Sequence, residues 1–215
     1  MIKAVIFDLD NCLAAANEPG EELFAPAFEA IREANKGTLT EAALNAAFAD
    51  CWVNPLDAVA ARHNFSGGMV AAGWRELART EVREPMRGYP DLPVLEELPV
   101  QRFLVTSGFR RLQESKVRAL NFERLFAEIH IDAIDEVERK GKLEIFKKIL
   151  SGYKLKPSEV LVVGDNPDSE IEAGNRLGIG TVQILRPGVS RGDGAKHHIT
   201  TLGELKELLA RTNGK

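Results

Sequence analysis

Cysteine is nearly absent from this chain. Cys12 and Cys51 are the only two in 215 residues, too few and too unpatterned for a disulfide framework or a zinc site. Histidine is also scarce. The four present show no ligand spacing, and His197-His198 reads as a surface turn. No apolar run approaches the ~20 residues that a membrane-spanning helix needs. There is no excess of positive charge: 28 basic against 32 acidic residues leave a net −4, which disfavours nucleic acid or an anionic membrane as a main partner. The chain runs directly into an apolar strand ending at Asp8, a pattern unlike a secretory signal. These deficits point to a reduced, cytoplasmic protein. Its length suits one large domain, or a core with a smaller insert.

What is present begins with a short apolar run, Ala4-Val5-Ile6-Phe7, ending in Asp8-Leu9-Asp10. Such a run, rich in β-formers, suits a strand buried on both faces. From Glu21 to about Val82 nearly every segment reads helical. Phe24, Phe28 and Ile31 have helical spacing, Thr40 is an N-cap, and Asn54-Pro55 reads as an N-cap followed by a first-position proline. About four helices are expected there, without a strand. After the turn Gly88-Tyr89-Pro90-Asp91, strands at 102–105, 127–131, 160–163 and 181–185 alternate with helices, and a weak strand at Ile199 precedes a closing helix. This alternation predicts a Rossmann-like, doubly wound parallel α/β sheet. The division expected is an α/β core of residues 1–13 and 88–215, interrupted by a helical insertion at 14–87.

In a parallel sheet the C-terminal strand ends share one edge, and ligands bind there. The first strand brings Asp8 and Asp10 to that edge. At i and i+2 on an extended strand they face the same side. Two carboxylates that close repel unless a cation lies between them or one holds a proton. The second strand brings Thr106-Ser107-Gly108, a hydroxyl with backbone N–H groups. The fourth brings Gly164-Asp165, with Asp168 and Glu170 close behind. Lys140 and Lys142 precede the helix before it. An Asp-x-Asp pair is common in solvated turns, and only its position at the end of the first core strand singles this one out.

Together these stretches resemble the haloacid dehalogenase (HAD) superfamily of hydrolases. Asp8-Leu9-Asp10-Asn11-Cys12 resembles the family's Asp-x-Asp-x-Thr/Val motif, with Cys12 in place of Thr or Val. Phe103-Leu104-Val105-Thr106 resembles the second motif, Lys140-Gly141-Lys142 the third, and Gly164-Asp165 through Glu170 the fourth, with Glu170 where relatives usually carry Asp. The resemblance implies the sheet order 5-4-1-2-3, and the insertion sits where the family's C1-type helical cap goes. It also implies a Mg²⁺-dependent phosphatase working through an aspartyl-phosphate. Asp8 would be the nucleophile and Asp10 the proton donor and acceptor. Asp8, the Asp10 carbonyl and Asp165 would hold the metal, assisted by Glu170 or Asp168. Thr106, Ser107 and Gly108 would bind phosphate, and Asn11 would contact the leaving group. For the catalytic lysine an ungapped comparison favours Lys140 over Lys142. Asp10 separates phosphatases from dehalogenases, because a halide leaving group needs no acid. The expected partner is a small phosphorylated metabolite such as a nucleotide, a sugar phosphate or phosphoglycolate, acted on by a monomer or homodimer. A phosphomutase and a non-catalytic phosphometabolite-binding protein are the alternatives. Arg62, His63 and Arg75 of the insertion, and Arg110 and Asn17, are further candidates for substrate contact.

Overall fold

Ala4–Phe7 forms strand β1, and all four side chains are buried. In the computed structural model, which describes residues 1–214, β1 lies at the centre of a six-stranded parallel sheet. Its neighbours are β2 (Gln101–Gly108) and β4 (Val160–Gly164), with Phe7 level with Leu104 and Val163. Outside them come β3 (Glu128–Ala133) beside β2, then β5 (Gly180–Ile184) and β6 (His197–Ile199) beyond β4. The expected 5-4-1-2-3 order is present, extended by β6 at one edge. His197 and His198 therefore lie in an edge strand, not in a surface turn.

Alternate residues of β1 feed the two faces of the sheet, as the period of a strand requires. Ala4 and Ile6 join Phe103, Val105, Val160 and Val162 under Phe146 and Ile149. The latter two belong to a helix at Gly141–Gly152. Val5 and Phe7 face the other way. They join Leu104, Leu161, Val163, Val182 and Ile184 in a cluster that runs on into residues between β1 and β2.

Within that stretch, residues 14–87 contain four α-helices and none of the sheet's strands: α1 (Ala25–Ala34), α2 (Glu41–Asp50), α3 (Leu56–Arg62) and α4 (Gly67–Leu77). Thr40 and Ser66 cap α2 and α4 through their hydroxyls, which accept from Ala43 and Met69. Pro55, in extended conformation, takes the N-cap place of α3, one residue later than the Asn-Pro pattern suggests. Asn54 instead donates to Asp50 at 2.8 Å. Inside the segment Phe28 stacks on Phe48 at 4.5 Å, and Trp52 meets Phe24 edge-on at 4.8 Å. Toward the sheet, Trp74 packs against Phe109 at 4.9 Å.

The two connections that carry the segment are pinned together. The Tyr89 N–H donates to the Leu13 carbonyl, and the Glu18 carboxylate accepts from the Arg87 and Gly88 N–H groups. Buried Arg186 grips Asp91 with both terminal nitrogens at 2.8 Å, donates to the Cys12 carbonyl and lies over the Tyr89 ring. The remaining helices are α5 (Val94–Glu97), α6 (Arg110–Ala119), α7 (Gly141–Gly152), α8 (Glu172–Arg176) and α9 (Leu202–Asn213).

Candidate active site

The carboxyl ends of β1, β2 and β4 open into a cavity of about 350 Å³, roofed by the helical segment. Asp8 follows directly on β1, and its N–H donates to the Val163 carbonyl at 2.9 Å, so the backbone of β4 fixes its position. Lys142, the second residue of α7, reaches it: the ammonium donates to Asp8 Oδ1 and to Glu170 Oε2, both at 2.8 Å, and all three side chains are buried. Asp165, directly after β4, is buried beside them. Carboxylate oxygens of Asp8, Asp165 and Glu170 lie within 4.8 Å of one another.

Glu170 gets there through an unusual piece of chain. Pro167–Ile171 forms a π-helical turn, wider than an α-turn, ahead of α8. The turn folds Glu170 back over Gly164, and the Asn166 N–H donates to Glu170 Oε1 at 2.7 Å. A Cβ on Gly164 would lie 2.1 Å from that same oxygen, so only glycine admits the Glu170 side chain here.

Three crowded acids with one lysine among them remain short of positive charge. Burial pushes the Asp8 carboxyl up to about 7 despite the Lys142 ammonium, and Glu170 adds to the rise. Burial, then the charges of Glu170 and Asp8, push Asp165 up to about 9. Burial works against the Lys142 charge as well, but Asp8 and Glu170 outweigh it and hold the ammonium above its ordinary value.

Asp10 lines the same cavity with different partners. Lys116 Nζ donates to its Oδ1 at 2.6 Å and Gln113 Nε2 to its Oδ2 at 2.9 Å. Both come from α6 and both are buried. The Gln113 nitrogen also donates to the Ser107 carbonyl at 3.2 Å. Two oxygen acceptors on that side settle which end of the amide faces Asp10. Gly108, at φ +153°, makes room, since a Cβ there would stand 2.6 Å from the same nitrogen.

Thr106 is buried and lines the cavity with Ser107 and Gly108. The Ser107 hydroxyl is turned away, donating to Asp132 Oδ2 at 3.0 Å. Asn11, in left-handed conformation, joins the two parts of the molecule: its amide donates to the Trp52 carbonyl at 3.0 Å, and its oxygen accepts from the Ala16 N–H.

Two expected residues stand apart. Lys140 is exposed at the N-cap of α7 and lines no part of the cavity. Positions two apart at a helix start point to nearly opposite sides, so placing Lys142 inward turns Lys140 outward. The structure thus brings Lys142, and not the Lys140 that the ungapped comparison favours, to the cavity. Asp168 is exposed at the cavity rim and lies outside the three-acid cluster, because the π-turn presents Glu170 instead. Among the further candidates, Arg62 lines the cavity and pairs with Asp50, whereas Arg110 pairs with Glu136 on the surface and Arg75 is also exposed.

Gln113 and Lys116 escape a motif reading, yet a signal for them exists. The inward face of α6 carries Leu112, Gln113, Lys116 and Val117. Two polar residues at helical positions that should be apolar mark a helix turned toward a site.

A family model described as haloacid dehalogenase-like hydrolase matches residues 2–178. The chain is 31% identical over 201 residues to the glyceraldehyde 3-phosphate phosphatase of Methanopyrus kandleri, covering 86% of this chain and 85% of that one. It is 26% identical, over an alignment 230 positions long, to the enzyme of the same name from Methanocaldococcus jannaschii, covering 97% and 96%. The structure of the HAD-hydrolase YfnB from Bacillus subtilis bound to magnesium shares the fold, with a TM-score of 0.65 at 16% identity, over 97% of this chain and 98% of that one. The chain belongs to the haloacid dehalogenase-like hydrolase family. It falls on the phosphatase branch, as a phosphoric monoester hydrolase.

Proposed function

We propose that the protein is a Mg²⁺-dependent phosphatase of small phosphate monoesters, with Asp8 as nucleophile, and that residues 14–87 form a C1-type cap on a core of residues 1–13 and 88–215. One observation carries the reading. Two carboxylates two residues apart share a cavity but hold different partners: Asp8 is bound by Lys142 among further acids, Asp10 by Lys116 and Gln113. Separate partners allow the two carboxylates separate roles, and the raised Asp8 carboxyl calls for a further positive charge at the strand ends before it can act as a nucleophile.

In this reading an Asp8 oxygen attacks phosphorus, and the bond from phosphorus to the ester oxygen breaks. Asp10 gives a proton to the departing oxygen. It then takes a proton from the water that attacks the phosphoryl group on Asp8, which releases inorganic phosphate, restores the Asp8 carboxylate and returns to Asp10 the proton it gave up. Lys116 and Gln113 are positioning residues that fix both oxygens of Asp10. Thr106 and the N–H groups of Ser107 and Gly108 hold phosphate oxygens, and Lys142 neutralises charge on the transferring group. The cap excludes water around these steps. The donor set suits a hard divalent cation, which takes oxygen ligands. Asp8, the Asp10 carbonyl, Asp165 and Glu170 would hold it. Bound there, Mg²⁺ supplies the positive charge that offsets repulsion between a carboxylate and a phosphate dianion. Glyceraldehyde 3-phosphate, named for the relatives, is the first substrate to try.

The test is phosphate release from a panel of monoesters with and without Mg²⁺, beside Asp8→Asn and Asp10→Asn. Metal-dependent release, lost in Asp8→Asn and severely slowed in Asp10→Asn, is expected. Turnover that survives Asp8→Asn, or that ignores the metal, would sink the mechanism.

A further inference from the structure

Among the described residues four cationic side chains line the cavity: Arg62, Lys116, Arg139 and Lys142. Each is already matched to a carboxylate. Lys142 is held by Asp8 and Glu170, and Lys116 by Asp10. The other two stand where the cap meets the core. Arg62 donates from one terminal nitrogen to both oxygens of Asp50, at 2.7 and 3.0 Å. Arg139 donates to Asp132 at 3.0 Å and, across the junction, to Asp57 of α3. Among the described residues no histidine lines the cavity. At the rim Asp168 is a carboxylate in no ion pair among the described residues. The nearby walls are apolar: Phe24, Trp52, Leu56, Leu77, Phe109 and Leu112.

A second anionic group on a substrate would meet the opposite of a welcome here. The transferring phosphate takes the charge available at the strand ends. A carboxylate or second phosphate further out would lose water and face Asp10 and Asp168, with both arginines already neutralised. Each arginine keeps N–H donors outside its aspartate pair, but the aspartate beside it already offsets its charge, so an anion there would gain little attraction. The Asp50 lock is itself well supported. Burial alone would raise its carboxyl, but hydrogen bonds from Asn54, His63 and Arg62 outweigh this and hold it below its ordinary value.

We propose that the cavity selects monophosphates whose leaving group is uncharged, and that Asp50 and Asp57 enforce this by neutralising the two arginines that would otherwise attract a second anion. The inference rests on the phosphatase reading and specifies the substrate class for the same site. Asp50 and Asp57 are then specificity-determining residues with no part in the bond-breaking steps. Selection arises from what the site withholds as well as from what it offers.

A matched pair tests it: glycerol 3-phosphate, and 3-phosphoglycerate, in which a carboxylate replaces the terminal alcohol. The wild-type protein is expected to favour the alcohol in kcat/KM by about tenfold or more. Asp50→Asn keeps the shape and leaves the Arg62 charge unbalanced, and should narrow that preference severalfold through improved KM for the acid. Asp57→Asn should do the same through Arg139. Asp50→Glu keeps the charge and should keep the preference, which controls for a cap loosened by mutation. Equal efficiency on the pair, a preference for the acid, or a ratio unmoved by both Asn variants would overturn the proposal. A protein that releases phosphate from no monoester fails the phosphatase reading itself. One that hydrolyses monoesters without charge preference fails this inference alone.

Discussion

The core edge and the helical segment treat their acids in opposite ways. At the core edge Asp8, Asp165 and Glu170 crowd around one lysine, and the carboxyls of Asp8 and Asp165 are pushed upward. In the helical segment Asp50 is fully partnered by Arg62, His63 and Asn54, and its carboxyl is held down. The second arrangement serves structure, because each charge there has its counterpart. The first is destabilising by itself and persists because the sheet over-determines it. Such stored electrostatic conflict is a mark of functional sites. In the proposed mechanism the first set of acids does the chemistry and the second decides what reaches it.

The sharpest way to break this contrast is to remove the cation that holds the core cluster together. Lys142→Met should lower kcat/KM by about a thousandfold or more, by analogy with loss of a buried group that stabilises transition-state charge. Lys140→Met should stay within about twofold, because Lys140 is exposed and outside the cavity. Comparable losses in both, measured by steady-state kinetics on one substrate, would erase the distinction drawn between them.

A smaller effect is expected in stability against pH. In the folded protein without metal, Asp8 keeps its proton from the ordinary 3.8 up to about 7, and Asp165 keeps its own up to about 9. The unfolded chain has lost both protons by then. The folded state thus binds more protons in this window, and stability falls as pH rises through it. Asp50 has the opposite sign: its contribution is present above its ordinary 3.8 and is lost as pH falls through its lowered value. Melting in the presence of a chelator should therefore weaken steadily from about pH 5 to pH 9, and Mg²⁺ should flatten that slope. A slope unaffected by Mg²⁺ would show that the core acids do not hold the cation.

The strands that build the core edge were legible from composition alone. Ala4–Phe7 and Val160–Gly164 are continuous apolar runs, and runs buried on both faces read as central parallel strands. Asp8, Asp10, Thr106 and Asp165 follow such runs, so their common edge could be inferred. Residues delivered by a helix or an irregular turn were harder to place. The choice between Lys140 and Lys142 depends on where α7 starts, and Gly141 at φ +78° sets that start through tertiary context. Glu170 rather than Asp168 enters the cluster because of the π-turn, which no local propensity announces. Gln113 and Lys116 lie outside any motif and become visible only as polar intruders on the inner face of α6. His197-His198 joins the sheet because β5 offers an edge, a non-local cause that outweighs the turn-like look of the sequence around it.

In the proposed mechanism Asp8 carries the phosphoryl group during turnover. The protein would be mixed with excess substrate and Mg²⁺, quenched in acid within the first turnover, and digested for peptide mass mapping. A phosphorylated peptide containing Asp8, absent from Asp8→Asn and chased away by longer reaction before the quench once substrate is exhausted, is the predicted result. Phosphate release at full rate with no phosphoryl group trapped on Asp8, or with the label on another residue, would contradict the account.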